Sequence, residues 1–286
     1  DGHTAAIPQA DVNTSDTIQY EEVRDADGNT CYVNHLQAAL SRHKPESTTY
    51  RMSGGLLAEE MGLGKTVELM ALISLHRRTQ QVGGSLFDIP SGTDVLPSKA
   101  TLIVTPTSIL PQWRSELQKH APSLKVMHYE GIPPPTKKFD EKQTLEDLTN
   151  NYDVILTTYQ VLAREVHFAE DPPARNMRRE RKFDRKRSPL VQVQFWRAVM
   201  DEAQMIETSV TAAARVACRI PRVHSWAASG TPLRKDVGDL HGLLIFLRFK
   251  PLDEDVRLWS HIVMNHRHVF RRVFGDIALR HTKSQI

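Results

Sequence analysis

Residues 54–66, Gly54-Gly55-Leu56-Leu57-Ala58-Glu59-Glu60-Met61-Gly62-Leu63-Gly64-Lys65-Thr66, read as a short apolar strand, a loop with two glycines and a helix opening at Lys65. That order suits a nucleotide phosphate. Glycines let backbone N–H groups turn inward, a helix N-terminus adds partial positive charge, and a lysine at the helix start reaches the outer phosphates. Thr66 follows where a hydroxyl would meet Mg²⁺. The literal phosphate-loop pattern has glycine five positions before Gly64, and this chain has Glu59 there. A bare Gly-Lys-Thr arises often by chance, so the context decides. The apolar strand before it and the amphipathic run Val67, Met70, Ala71, Ile73, Ser74 after it complete the strand–loop–helix order.

The 286 residues, 40% hydrophobic and 25% charged, have the composition of a globular protein, long enough for one large domain or two small ones. No apolar run approaches the ~20 residues of a membrane span. The N-terminus, Asp1 onward, lacks the basic-then-apolar pattern of a signal peptide, and without Met the chain is expected to be part of a longer one. Cys31 and Cys218 cannot build a zinc site or a disulfide framework, so a reducing, intracellular compartment is the default. His261, His266 and His268 have neither nearby cysteines nor a His-Glu-x-x-His pattern, which argues against a metal site. A net charge of +3 is too small to indicate nucleic-acid binding by itself. Its distribution is uneven, with eight basic residues against three acids between Asp171 and Arg187. That tract reads either as a solvated loop, as a nuclear-import signal or as a phosphate-binding surface.

Taken in order, residues 1–50 form an N-terminal extension with a β-hairpin, signalled by Asp27-Gly28-Asn29 between Glu22-Val23 and Cys31-Tyr32-Val33. Residues 51–248 carry the strand–helix alternation of an open α/β unit. Thr101-Leu102-Ile103-Val104 has the short apolar run of a buried parallel strand, and a helix through Trp113, Leu117 and His120 follows. Further strands are expected at Leu124–Tyr129, Tyr152–Thr158, Arg197–Glu202 and His224–Ser229, with a small-residue helix over Thr211–Ile220. Loop insertions are expected at 79–99 and 131–150, and a basic insertion at 171–190. Residues 249–286 read as a helical extension, after a helix with Leu240, Leu243, Leu244 and Leu247 on one face. The expected fold is therefore α/β, a mostly parallel central sheet with helices on both faces and ligand at the strand C-termini.

The second key feature is Asp201-Glu202-Ala203-Gln204, at the end of a strand that Arg197 interrupts. Nucleotide hydrolysis needs one carboxylate for Mg²⁺ and a base for the attacking water. Adjacent residues leaving a strand can divide those tasks, Asp201 on the metal with Thr66 and Glu202 on the water. A solvated Asp-Glu turn is the bland alternative. The position of the pair, several strand–helix units after the phosphate loop, favours the functional reading.

With both elements placed, the chain resembles the Swi/Snf-type helicase-like ATPases of helicase superfamily two. Glu59 to Thr66 is similar to their motif I, whose usual first residue is aspartate, which accounts for the absent glycine. Leu102 to Pro106 with Gln112-Trp113 resembles motif Ia, Asp153 to Tyr159 motif Ib, Asp201 to Gln204 motif II, and Ser229-Gly230-Thr231-Pro232-Leu233 motif III. Most members have histidine where this chain has Gln204. A narrower resemblance, to members that also carry a RING-type ubiquitin ligase, rests on Trp196-Arg197 ahead of motif II, the glutamine itself, and Arg280-His281-Thr282-Lys283.

The resemblance implies a RecA-like lobe that binds ATP and Mg²⁺ and faces a second RecA-like lobe across a cleft, with double-stranded DNA, or nucleosomes, running over both. Glu60, Met61, Gly62, Leu63, Gly64, Lys65 and Thr66 would surround the phosphates. Lys65, Asp201 and Glu202 would carry the chemistry. Gln204, Ser229, Gly230 and Thr231 would couple nucleotide state to DNA grip. Thr105, Thr107, Thr158 and Tyr159 would touch the DNA backbone through hydroxyls, joined by Arg178 and Arg179 of the basic tract. Such contacts position a protein without reading sequence. A nuclear chromatin or repair function follows, with a ubiquitin-conjugating enzyme as a further partner of a RING outside this segment. Nothing after Thr231 resembles the motifs that supply an arginine finger, so the chain alone is expected to hydrolyse ATP poorly. The competing readings are a catalytically silent scaffold and a small-molecule kinase. Intact Lys65, Thr66, Asp201 and Glu202 argue against the first, and Ser-Gly-Thr-Pro after the acidic pair against the second.

Overall fold

The computed structural model describes residues 21–34, 39–43, 52–79, 84–170, 186–231, 240–250, 252–254, 256–265, 271 and 274–285. The N-terminal part forms a small antiparallel sheet of β1 (Glu21–Arg24), β2 (Thr30–Asn34) and β3 (Ala39–Ser41). The β1–β2 turn is closed by Asp25, whose carboxylate accepts from the Asp27 and Asn29 N–H groups.

The main unit is built on β4 (Gly54–Leu57), β7 (Thr101–Thr105), β8 (Val126–His128), β9 (Val154–Thr158), β10 (Val193–Asp201), β11 (Arg222–Ala228) and β12 (Ala278–Leu279). They lie in the order β12-β4-β11-β10-β7-β9-β8, and every pairing along that path is parallel. All five residues of β7 and all five of β9 are buried, as a strand covered on both faces requires. Alternate residues serve opposite faces. Leu57, Ile103, Leu156 and Val199 pack with α1 (Lys65–Leu75) and α2 (Leu110–His120) through Leu69, Met70, Ile73, Trp113 and Leu117. Leu56, Leu102, Val104, Ile155, Ala198 and Met200 pack on the other face, with residues of four further helices. Two of those are α4 (Tyr159–Ala169) and α5 (Ala212–Arg219), capped at their N-termini by Thr158 and Thr211. The others are α6 (His241–Leu247) and α7 (Val256–Asn265). This is the mostly parallel α/β sheet with helices on both faces that the alternation of elements indicates.

Three stretches differ from expectation. The 79–99 insertion contains an antiparallel pair, β5 (Leu86–Asp88) and β6 (Thr93–Pro97), and β6 also runs parallel to the start of β10. Residues 131–150 contain the helix α3 (Glu141–Glu146), which continues into a π-helical turn at Asp147–Asn151. Asp140 caps α3 by accepting from the Gln143 N–H at 3.0 Å. An Asp followed three residues later by Gln is a helix-start signal that the triple proline upstream obscures. The 249–286 extension is not wholly helical, because β12 adds an edge strand beside β4. Arg197 does not break β10. Its buried guanidinium donates to Thr101 Oγ1 and to the His76 carbonyl, each at 3.0 Å, and burial pulls its pKa down to about 10.

Strand β4 approaches β11 so closely that residue 54 has room only for glycine. A Cβ on Gly54 would lie 1.7 Å from the Ser225 carbonyl oxygen, and its φ is +128°. Gly54→Ala must push the two strands apart, a cost of ~1–3 kcal/mol or more. Thermal denaturation should show Tm lowered by about 2–4 °C per kcal/mol. An unchanged Tm would mean that β4 is not seated as described.

Candidate nucleotide-binding site

The C-terminal ends of β4, β11 and β10 bring the two sequence features together. After β4 the chain passes through Gly62 and Gly64, with φ of +90° and +96°, and enters α1 at Lys65. The left-handed backbone at those two positions turns the loop around the helix start, at little cost because both are glycine. Lys65 Nζ folds back over the loop, donating to the Glu59 carbonyl at 2.8 Å and lying 3.4 Å from the Glu60 carbonyl. An ammonium held by carbonyls of its own loop can exchange them for phosphate oxygens.

β10 ends at Asp201. One carboxylate oxygen accepts from Trp113 Nε1 at 2.7 Å and Thr105 Oγ1 at 3.0 Å, and the other from the Glu202 N–H at 3.0 Å. Burial pushes the Asp201 carboxyl above the usual aspartate range, the Trp113 and Thr105 donors pull it back, and the Glu202 charge adds to the rise. An acid desolvated in this way gains strongly from a cation. Tyr159 donates its hydroxyl to the Asp201 carbonyl at 2.7 Å. Burial, with the charges of Asp201 and Glu202 behind it, holds that hydroxyl well above the ordinary tyrosine pKa, so it stays a donor.

Glu202 has φ of +50°, a left-handed conformation rarely taken by a residue with a side chain. Such a residue costs ~1–3 kcal/mol and tends to occur at functional sites. The abrupt turn redirects the chain from β10 into a short 3₁₀ turn, Ala203–Ile206. Gln204 then joins motif II to motif III. Its Nε2 donates to Glu202 Oε2 at 2.5 Å, and its Oε1 accepts from Ser229 Oγ at 2.7 Å. Ser229 also donates its N–H to the Leu57 carbonyl at the start of the phosphate loop, and its hydroxyl accepts from the Thr231 N–H. Gly230 lies against that loop, since a Cβ there would meet Met61 Cγ at 2.7 Å and Lys65 Nζ at 3.5 Å. The loop, the acidic pair and Ser229-Gly230-Thr231 thus form one connected site. Its set of ammonium, hydroxyl and desolvated carboxylate fits a magnesium–nucleotide complex.

The residues expected to touch DNA are mostly buried. Thr105 is fully buried, Tyr159 and Thr158 are 3% and 5% exposed, and each hydroxyl is directed inward. Thr105 and Tyr159 brace Asp201, and Thr158 caps α4, because positions leaving a buried strand point into the site. Thr107 alone of the four is exposed, bonded to Gln160 at 2.7 Å. Arg178 and Arg179 lie outside the described residues. The braces on Asp201 were missing from the sequence reading. Thr105 and Trp113 are 96 and 88 residues away from it, and no local spacing links them.

An open parallel sheet with a phosphate loop, an acidic pair two strands away and a serine–glycine–threonine bridge between them defines a helicase-like ATPase lobe. The SNF2-related domain model matches residues 31–285, and the chain belongs to that family. Among its relatives, the Saccharomyces cerevisiae ATP-dependent helicase IRC20 is 38% identical over 207 residues, 71% of this chain and 13% of that protein. The Aspergillus fumigatus DNA repair protein rad5 is 30% identical over 278 residues, 88% of this chain and 21% of that protein. The Homo sapiens E3 ubiquitin-protein ligase SHPRH is 36% identical over 163 residues, 54% of this chain and 9% of that protein. The chain therefore spans less than a quarter of each of these relatives. The Sulfolobus solfataricus SWI2/SNF2 ATPase core in complex with dsDNA superposes with a TM-score of 0.52 at 26% identity, over 81% of this chain and 40% of that one.

Proposed function

We propose that this chain is the ATP-binding lobe of a DNA-dependent ATPase that translocates on duplex DNA during DNA repair or chromatin remodelling. The observation that carries the reading is the convergence of Lys65, Asp201 and Glu202 on one site, with Gln204 bridging Glu202 to Ser229. Lys65 would leave the Glu59 and Glu60 carbonyls for the outer phosphates. Glu60 to Gly64 would line them, and Thr66 and Asp201 would hold Mg²⁺. The metal, when bound, neutralises charge developing between the phosphate oxygens. Glu202 would orient the attacking water, its carboxylate steadied by Gln204. Any shift of Gln204 would be felt by Ser229, Gly230 and Thr231, which supports them as the link between nucleotide state and DNA grip.

The DNA-binding reading draws on the SWI2/SNF2 core solved with dsDNA, on exposed Thr107, and on the charge of Arg178 and Arg179. By the same similarity the lobe works against a second RecA-like lobe, in a nuclear setting. A RING and its ubiquitin-conjugating enzyme belong to the proposal through the relative named a ubiquitin ligase. The domain reading is a RecA-like lobe over 51–248, an extension at 1–50 and a joining region at 249–286. The test is titration of the chain with Mg·ATP, followed by ATPase assays with a second lobe present, with and without duplex DNA. Saturable binding and a DNA-stimulated rate are expected. Absence of Mg·ATP binding would overturn the site, and a rate indifferent to DNA would overturn the substrate.

A further inference from the structure

The first half of the phosphate loop is held by the segment that follows β12. Beyond β12, the Ala58 N–H donates to the Leu279 carbonyl at 2.8 Å and the Glu60 N–H to the His281 carbonyl at 3.3 Å, so the β4–β12 ladder continues into the loop. Arg280 Nη1 donates to the Ala58 carbonyl at 3.3 Å. Glu59 is 2% exposed, and its carboxylate accepts from the His281 N–H at 3.0 Å and lies 2.7 Å from His281 Nδ1. Glu60 accepts from the Lys283 N–H at 2.8 Å. The Lys283 side chain stands over Gly62, where an added Cβ would lie 3.8 Å from Nζ. Lys65 bonds the same stretch through the carbonyls of Glu59 and Glu60.

We propose that residues 279–283 are a nucleotide-sensitive brace on the phosphate loop, with Glu59 and His281 as positioning residues for ATP. This rests on the reading of the loop as an ATP site. When Lys65 turns to phosphate, the Glu59 carbonyl loses its donor and the Glu60 carbonyl keeps the Leu63 N–H at 3.2 Å, so the shape of residues 58–60 then depends more on the brace. The buried Glu59 carboxylate is its strongest element, because a charged acceptor roughly doubles the strength of a hydrogen bond. Coupling is reciprocal: if the brace favours the loop shape that binds nucleotide, nucleotide tightens the brace by the same factor. Occupancy of the loop is thereby reported to the residues after β12 by a route separate from the Glu202–Gln204–Ser229 chain.

The test combines titration with a fluorescent ATP analogue and Mg²⁺ with amide hydrogen exchange, on the wild-type chain and on Glu59→Gln, Glu59→Asp and His281→Ala. In the wild type, Mg·ATP should slow exchange at His281 and Lys283. Glu59→Gln should weaken affinity about tenfold and lose that protection, with Tm lowered, whereas Glu59→Asp, which keeps the charge, should stay within about twofold of wild type. His281→Ala, a change at an exposed side chain that can hardly unfold the chain, should follow Glu59→Gln. Wild-type affinity in both Glu59→Gln and His281→Ala, with no nucleotide-dependent protection, would overturn the brace alone. A wild-type chain that does not bind Mg·ATP would overturn the ATP site and the brace with it.

Discussion

Replacing Lys65 with alanine should abolish productive nucleotide binding while leaving the fold intact. Among the described residues the ammonium bonds only loop carbonyls, so its loss leaves no buried partner charge behind. Two carbonyls lose a donor, yet the loop remains attached to β12 and to Ser229. In the proposed site the position would matter far more, because a point charge at the outer phosphates would stabilise charge that grows during transfer. Removing one such group costs about 10²–10³ in rate. Mg·ATP titration of Lys65→Ala should give no saturable signal, and single-turnover hydrolysis with a second lobe and duplex DNA present should fall by about that factor. Tm should stay close to wild type. Retained affinity would mean that the glycine turn and helix start hold the phosphates without Lys65.

Glu202→Gln is expected to behave in the opposite way at the first step. Glutamine keeps the length of the side chain and can still accept from Gln204 Nε2, so the bridge to Ser229 survives. Asp201, the proposed metal ligand, keeps its Trp113 and Thr105 donors. Mg·ATP affinity should therefore match wild type, while hydrolysis loses the general-base contribution of about 10²–10⁴. Normal hydrolysis would remove Glu202 from the role of base. The pair of variants separates binding from chemistry within one site.

The sheet was legible wherever a strand is buried on both faces. β7 and β9 stand out by three consecutive apolar residues followed by threonine, and β10 is recognisable despite Arg197 because its end carries the acidic pair. β12 was not, since two residues have no periodicity to read and their strand character comes wholly from β4 beside them. The residues that the fold brings together from the loop and from motif II were legible because each set sits at short spacing in the chain. The roles of Thr105, Thr158 and Tyr159 were not. Resemblance supplies a position along the chain but not the direction of a side chain, and a hydroxyl leaving a buried strand serves the interior as readily as a ligand. Gln204 was read as a coupling residue without its partners, which only the turn at Glu202 brings within reach.

The convergence of Thr105, Trp113 and Tyr159 on Asp201 has a practical consequence for interpreting natural variants. Substitutions at these positions fall within segments that resemble DNA-contacting motifs, yet their polar atoms are committed to Asp201. Under the proposed function, a screen that scores retention on DNA is expected to pass carriers of such changes as normal, and one that scores phosphate release to single them out. Sorting alleles by motif name alone would place them in the wrong functional class.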